Sequence, residues 1–215
     1  LPLLLWPEIA PYKTDTEFNA EIWVFDNSGK LLDLFKKMEV KVVDATFKTA
    51  RDFGKPDIVF VGENTDPNNM RLLANSITAA NTEPAIIYLK QKQFLKENKI
   101  EVVTGREKVK NITLTRSSTL LPGLYFSDIF ILANNSDYLK FIIEEDSDSI
   151  IHSEINENIE SENNIYSYLF TVRQRNQAKI YCQLPVTSID DPRCAVLLKN
   201  ILQYTESEIN EIKAK

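Results

Sequence analysis

The chain has 215 residues with 43% hydrophobic and 26% charged side chains, an average globular composition that excludes disordered, collagen-like and membrane-embedded classes. At this length roughly 70% of the unfolded surface is buried on folding, so one domain can hold itself together without disulfides or metals. A formal net charge of -6 argues against a nucleic-acid partner, which calls for a clustered basic face.

The apolar run Leu1 to Trp6 is far shorter than the roughly 20 residues of a membrane span and lacks the flanks of a signal peptide, so no membrane anchor is expected. A start at Leu-Pro-Leu-Leu-Leu without Met reads as a processed or excised piece. Residues 1–17 are taken as an N-terminal extension, with Leu3 to Trp6 as a docking element.

Ala20 to Phe25 is β-rich and ends in the turn formers Asp26-Asn27-Ser28-Gly29, which open a helix carrying Leu31, Leu32, Leu34, Phe35 and Met38 at helical spacing. Val40 to Val43 predicts a second strand. Asp57 to Val61, bounded by Pro56 and Gly62, is a continuous apolar run suited to a central parallel strand. Asp66-Pro67 then gives an N-cap and first-turn proline to a helix with Met70, Leu72, Leu73, Ile77 and Ala80 on one stripe. Ala85 to Leu89 is the next buried strand. This alternation predicts right-handed crossovers and a parallel sheet.

Beyond it, Phe94 to Lys110 predicts a short helix and a strand at Ile100 to Val103, and Leu120 to Leu132 reads as Leu-Pro-Gly-Leu followed by an aromatic, β-prone stretch. The acidic run Glu144 to Glu162 lacks the Asp-x-Asp-x-Asp-Gly calcium-loop pattern and reads as a solvated loop, with His152 a surface residue beside it. Tyr166 to Arg173 and Ala178 to Leu184 predict an antiparallel hairpin. Asp190-Asp191-Pro192 caps a closing helix with Ala195, Leu198, Ile201 and Leu202 on its buried face, and residues 206–215 read as a charged, frayed tail. The fold class is therefore α/β, doubly wound, with a mostly parallel sheet and a C-terminal antiparallel hairpin, in one domain over residues 18–205.

The motifs of catalysis are mostly missing. Five glycines in the chain leave the turns at Asp26-Asn27-Ser28-Gly29 and Gly62-Glu63-Asn64 without a dinucleotide or P-loop fingerprint, so no phosphate-bearing cofactor is expected. A nucleophile elbow needs Ser or Cys in a tight strand-to-helix turn; after Ala85 to Leu89 stands Lys90-Gln91-Lys92-Gln93. One His and two cysteines leave no zinc set; Cys182 and Cys194 read as packing residues whose pairing the sequence leaves open.

Paired carboxylates are unspecific in so acidic a chain, but Glu63 and Asp128 are the catalytic candidates, with Gln91 and Tyr125 as binding candidates. Trp6, Trp23, Tyr125 and Phe126 could stack on sugar rings, against a packing role. The triplets Asn111-Ile112-Thr113 and Asn134-Asn135-Ser136 permit N-glycosylation without settling the compartment.

Three stretches carry a resemblance: Leu31 to Ala45 with Asp57-Ile58-Val59-Phe60-Val61-Gly62; Ala85-Ile86-Ile87-Tyr88-Leu89-Lys90-Gln91; and Ala178-Lys179-Ile180-Tyr181-Cys182-Gln183-Leu184-Pro185 with Asp191-Pro192-Arg193 and Leu197 to Tyr204. Together they are similar to the class I glutamine amidotransferase-like domain appended to family 2 glycoside hydrolases, the β-galactosidase relatives. Lys90 departs from that domain's pattern, in which the strand often ends in Leu-Glu-Gln. The broader amidotransferases use a Cys after a central strand with a downstream His and Glu, and this chain keeps neither. The resemblance thus implies a flavodoxin- or amidotransferase-like scaffold without glutaminase chemistry. Its expected role is a non-catalytic accessory domain of a carbohydrate-processing protein, in a periplasmic or extracellular setting. Its partners would be other domains of a larger polypeptide, a second copy, or a carbohydrate. The alternatives are an autonomous hydrolase of a small or sugar substrate, with Glu63, Gln91 and Asp128 sharing a pocket, or a ligand-binding pseudo-enzyme.

Overall fold

The computed structural model describes residues 18–48, 52, 54–95, 99–103, 111–114, 121–134, 136–142, 147–154, 164–174, 177–188 and 191–214. The expected docking element Leu3 to Trp6 lies outside them. The described residues form four helices and ten strands in the order β1 (Ile22–Phe25), α1 (Lys30–Lys37), β2 (Val43–Asp44), β3 (Ile58–Val61), α2 (Pro67–Ala79), β4 (Ala85–Leu89), β5 (Ile100–Val103), β6 (Asn111–Leu114), α3 (Phe126–Ala133), β7 (Tyr138–Ile142), β8 (Ser147–Glu154), β9 (Asn164–Gln174), β10 (Gln177–Cys182) and α4 (Pro192–Lys213).

The sheet runs β2-β1-β3-β4-β10-β9-β7-β5, with β8 also paired to β9 and β6 to β8. Strands β2, β1, β3, β4 and β10 are mutually parallel. The others join antiparallel, beginning with the β9–β10 hairpin.

Side-chain alternation along the parallel strands sends two different sets to the two faces. Ile22, Val24, Ile58, Phe60, Ile87 and Ile180 meet Leu31, Leu34 and Phe35 of α1, the buried face of α3, and Leu198 and Ile201 of α4 in one large core. Phe35 meets Phe60 edge-on at 5.1 Å between ring centroids. Trp23, Phe25, Val59, Val61 and Ile86 instead receive Leu73 and Ile77 of α2. Beyond the reach of α2, aromatic rings cover that second face. Tyr181 stacks between Tyr88 at 5.0 Å and Phe170 at 4.7 Å, its register partners on β4 and β9, and Phe94 closes over the two tyrosines edge-on.

Several expectations are corrected. The strand foreseen at Val40 to Val43 is only the two residues Val43–Asp44, because Met38 and Val40 are drawn into the core under α1. The aromatic stretch after Leu120 holds a helix, α3: Asp128, Ile129, Leu132 and Ala133 recur at helical spacing on its buried side, and Asp128 caps its start. Part of the acidic run is strand β8, paired with both β6 and β9, and His152 lies in it opposite Thr113 and Ser167. Phe94 and Leu95 are not helical, and residues 96–98 and 104–110, where the rest of the expected short helix would fall, lie outside the described residues. The charged residues from Glu206 continue α4 to Lys213, anchored by buried Ile209 and by a 2.6 Å ion pair from Lys213 to Asp57. Phe35→Ala should destabilise the chain by about 3–5 kcal/mol, read from the urea midpoint at unchanged m-value, because it opens a void beneath Phe60 where the fully buried rings meet.

Candidate functional site

In an open parallel sheet, ligands and chemistry belong at the carboxyl ends of the strands. Here those ends are β1, β3, β4 and β10. β1 is followed by Asp26, buried to 3% exposure, whose Oδ2 accepts the Leu31 N–H at 2.8 Å and whose Oδ1 accepts the Ser28 N–H and hydroxyl at 2.9 and 2.7 Å. The carboxylate therefore fastens the start of α1 to the sheet. Gly62, which follows β3, passes so close that a Cβ would lie 2.7 Å from the Asp26 Oδ1.

The turn after β4 keeps the strained geometry of an elbow. Lys90 has φ of 40°, a left-handed conformation costly for a lysine. It is held there from both sides: its N–H donates to the Cys182 carbonyl at 2.6 Å, and its carbonyl accepts the Asn64 N–H at 3.0 Å. Gln91, next along, is 1% exposed. Its Oε1 accepts the Thr65 N–H at 2.9 Å, and its Nε2 donates to the carbonyls of Gly62 and Leu89 at 2.6 and 2.7 Å. Gln183, just past β10, donates from Nε2 to the Gln91 carbonyl at 2.7 Å, while its buried Oε1 has no partner among the described residues. Two glutamine amides thus stitch the ends of β3, β4 and β10 together.

Neither cysteine is a poised nucleophile. Both thiols are free and buried. Burial pushes the Cys182 thiol up to about 12, and the nearby Glu63 carboxylate and Cys194 push the same way against the Leu184 backbone. Cys194, which donates to the Pro185 carbonyl at 2.6 Å, is also pushed up to about 12 by burial, then by Asp191 and Glu63, with Arg193 opposing. A reactive thiol needs the opposite, an electropositive and partly exposed setting.

The sequence-derived pocket does not assemble. Gln91 is spent on backbone groups, and Asp128 is a cap: its Oδ2 accepts the Tyr125 N–H at 2.9 Å, and its Oδ1 lies 4.0 Å from Arg193. Arg193 is itself gripped in two-point fashion by Asp191 at 2.8 and 2.7 Å. Burial raises the Asp191 carboxyl, but the Arg193 contacts outweigh it and hold it below the usual range. Among the described residues no hydrogen bond or ion pair joins Glu63, Gln91 and Asp128. Glu63 stays half-buried, and Tyr125 is exposed on the outer surface. Trp23 is core, with its Nε1 donating to Glu21 at 2.7 Å. His152 sits in the antiparallel extension, away from the parallel strand ends. No group of three metal-ligating side chains occurs among the described residues. Sequence reasoning missed the role of Gln183 and the strain at Lys90; a glutamine within two residues of the end of each of two adjacent buried strands was the only signal.

This architecture, a five-stranded parallel sheet with an elbow after β4 and an antiparallel extension before the closing strand and helix, is the amidotransferase-like α/β fold. A crystal structure from Thermoplasma acidophilum, provisionally described as one subunit of GMP synthase, superposes with a TM-score of 0.53 at 12% identity, covering 91% of this chain and 98% of that one. At that identity the likeness concerns the fold alone. No protein-family model matches the chain. No curated protein matches it either.

Gln91→Ala would strand the Thr65 N–H and two carbonyls, so a loss of about 2–4 kcal/mol is expected in urea unfolding. The Cys182 thiol has its folded pKa raised, so its contribution is whole below the unfolded value near 9 and is lost as pH climbs toward 12. Stability should fall across that window by up to about 1.4 kcal/mol per pH unit from this group, and Cys182→Ala should flatten the decline.

Proposed function

We propose that the chain is a non-catalytic accessory module of a carbohydrate-processing protein, acting by packing against neighbouring domains. The observation that carries the non-catalytic part is the elbow after β4: its strained backbone is retained, but the residue on it is Lys90, and the two thiols nearby are buried and protonated. An elbow with no nucleophile, no His beside it and glutamine amides filling the space below has the scaffold of acyl-transfer chemistry without its reactants.

Support for a packing role comes from α3. Its inner side is buried, yet Phe126, Phe130 and Ile131 are 53%, 42% and 47% exposed on its outer side, and Tyr125 precedes them at 64%. A helix apolar all round is normally covered on both sides. The glycoside hydrolase setting rests on the sequence resemblance, and the likeness to the Thermoplasma structure supports the scaffold.

The test compares the protein at the length isolated from its source with the 215-residue chain in glycosidase and glutaminase assays. Glycoside hydrolysis by a longer source protein only, with glutaminase activity in neither, is the expected result; turnover of either substrate class by the 215-residue chain itself overturns the reading. Phe126→Asp with Phe130→Asp should leave the unfolding midpoint of the isolated chain nearly unchanged while loosening its association with the remainder of the source protein.

A further inference from the structure

At the opposite edge of the sheet, below the amino ends of β3, β4 and β10, a cleft of about 300 Å³ opens between the segment that follows α2 and the last turns of α4. That volume is at the small end of the range for small-molecule sites, about 300–1,000 Å³. Its apolar lining comes from Pro56, Ala85 and Ala178 at the strand ends and from Ile209 and Ile212 of α4. Around this surface stand four charged side chains, Lys55, Asp57, Glu83 and Lys213.

The four are not equivalent. Asp57 and Lys213 satisfy each other at 2.6 Å, and the other Asp57 oxygen accepts the Glu21 N–H at 2.9 Å. Burial raises the Asp57 carboxyl, but these contacts outweigh it and hold the group below the usual range, so this pair is closed to a visitor. Lys55 and Glu83 are different: each is exposed, and neither makes a hydrogen bond or ion pair within the described chain, with each other included. One cleft therefore presents an unpaired ammonium and an unpaired carboxylate over an apolar surface.

A purely anionic ligand would meet Glu83, Asp57 and the carbonyl-bearing ends of two helices, α2 closing at Ala80 and α4 at Ala214. A purely cationic one would leave Lys55 unanswered and face it at close range. A molecule carrying both charges answers both. We propose that this cleft binds a small zwitterion with an apolar body, of the size of a free aliphatic amino acid, its ammonium on Glu83 and its carboxylate on Lys55. The site lies at the far edge of the sheet from Lys90 and Gln91, so it stands or falls independently of the accessory-module reading.

The test is a titration of the 215-residue chain with L-leucine, leucinamide and N-acetylleucine, followed by backbone amide NMR shifts. Leucine is expected to bind saturably, with a Kd on the order of 1 mM and shifts centred on Lys55, Ala85, Ala178 and Ile209. Leucinamide and N-acetylleucine should each bind about fivefold to tenfold more weakly, since each lacks one of the two charges. Glu83→Gln and Lys55→Met, both at exposed positions, should weaken leucine by a similar factor, and Lys55→Met should raise the leucinamide affinity, because it removes the cation that repels it. No saturable shift with leucine at tens of millimolar overturns the proposal. Equal binding of leucine and leucinamide overturns it too, because the cleft would then read a cation alone.

Discussion

The amide of Gln91 is the point on which the carboxyl edge of this molecule depends. Three strands that are distant in sequence end side by side there, and each would leave carbonyls or N–H groups facing a buried junction. One side chain answers Thr65, Gly62 and Leu89 together, and Gln183 then ties β10 to the backbone of Gln91 itself. Lys90 lies between these attachments, so its left-handed backbone is over-determined: the bonds to Cys182 and Asn64 hold it while Gln91 is buried behind it. An elbow that survives by this means needs no catalytic residue to justify its strain.

The same economy governs the two sheet faces. Among the described residues, one is covered by three helices and the other by α2, which reaches β1, β3 and part of β4. Further along, the three rings Tyr88, Tyr181 and Phe170 sit in register across β4, β10 and β9, and with Phe94 they replace a helix by an aromatic layer. Burial pushes the hydroxyl of the half-buried Tyr88 up to about 12. Stacking of this kind can be mistaken for sugar-binding aromatics in sequence, and Trp23 makes the same point from within the α2 core.

The parallel half of the fold was legible because its signals are local: apolar runs at Ile58–Val61 and Ala85–Leu89, and an Asp-Pro start at Asp66 and again at Asp191, where each Asp accepts the N–H two residues on. The antiparallel extension was less legible because its strands are specified by partners. Ser147–Glu154 is too polar to read as a strand alone, yet β6 and β9 pair with it on its two edges. The α3 stretch misled for the opposite reason, since aromatics favour strands until Asp128 caps a helix from its third position. The candidate site failed similarly. Glu63, Gln91, Asp128 and Tyr125 are residue types suited to chemistry, but whether the Gln91 amide faces substrate or backbone is decided largely by Thr65 and Gly62, 26 and 29 positions away.

The contrast between the two edges of the sheet follows from where free polar groups remain. At the carboxyl edge, carboxylates and amides are engaged in holding helices and strand ends, and burial, with a smaller push from Glu63, keeps two thiols protonated. At the amino edge, the Asp57–Lys213 pair closes one side of a cleft and leaves Lys55 and Glu83 uncommitted. Flanking an apolar cleft, the same charges retain more of their field, since the low-dielectric wall screens less than bulk water does. The polar groups of the carboxyl edge are therefore bound up in holding it together, and the proposed cleft lies at the other end, where two charges remain uncommitted.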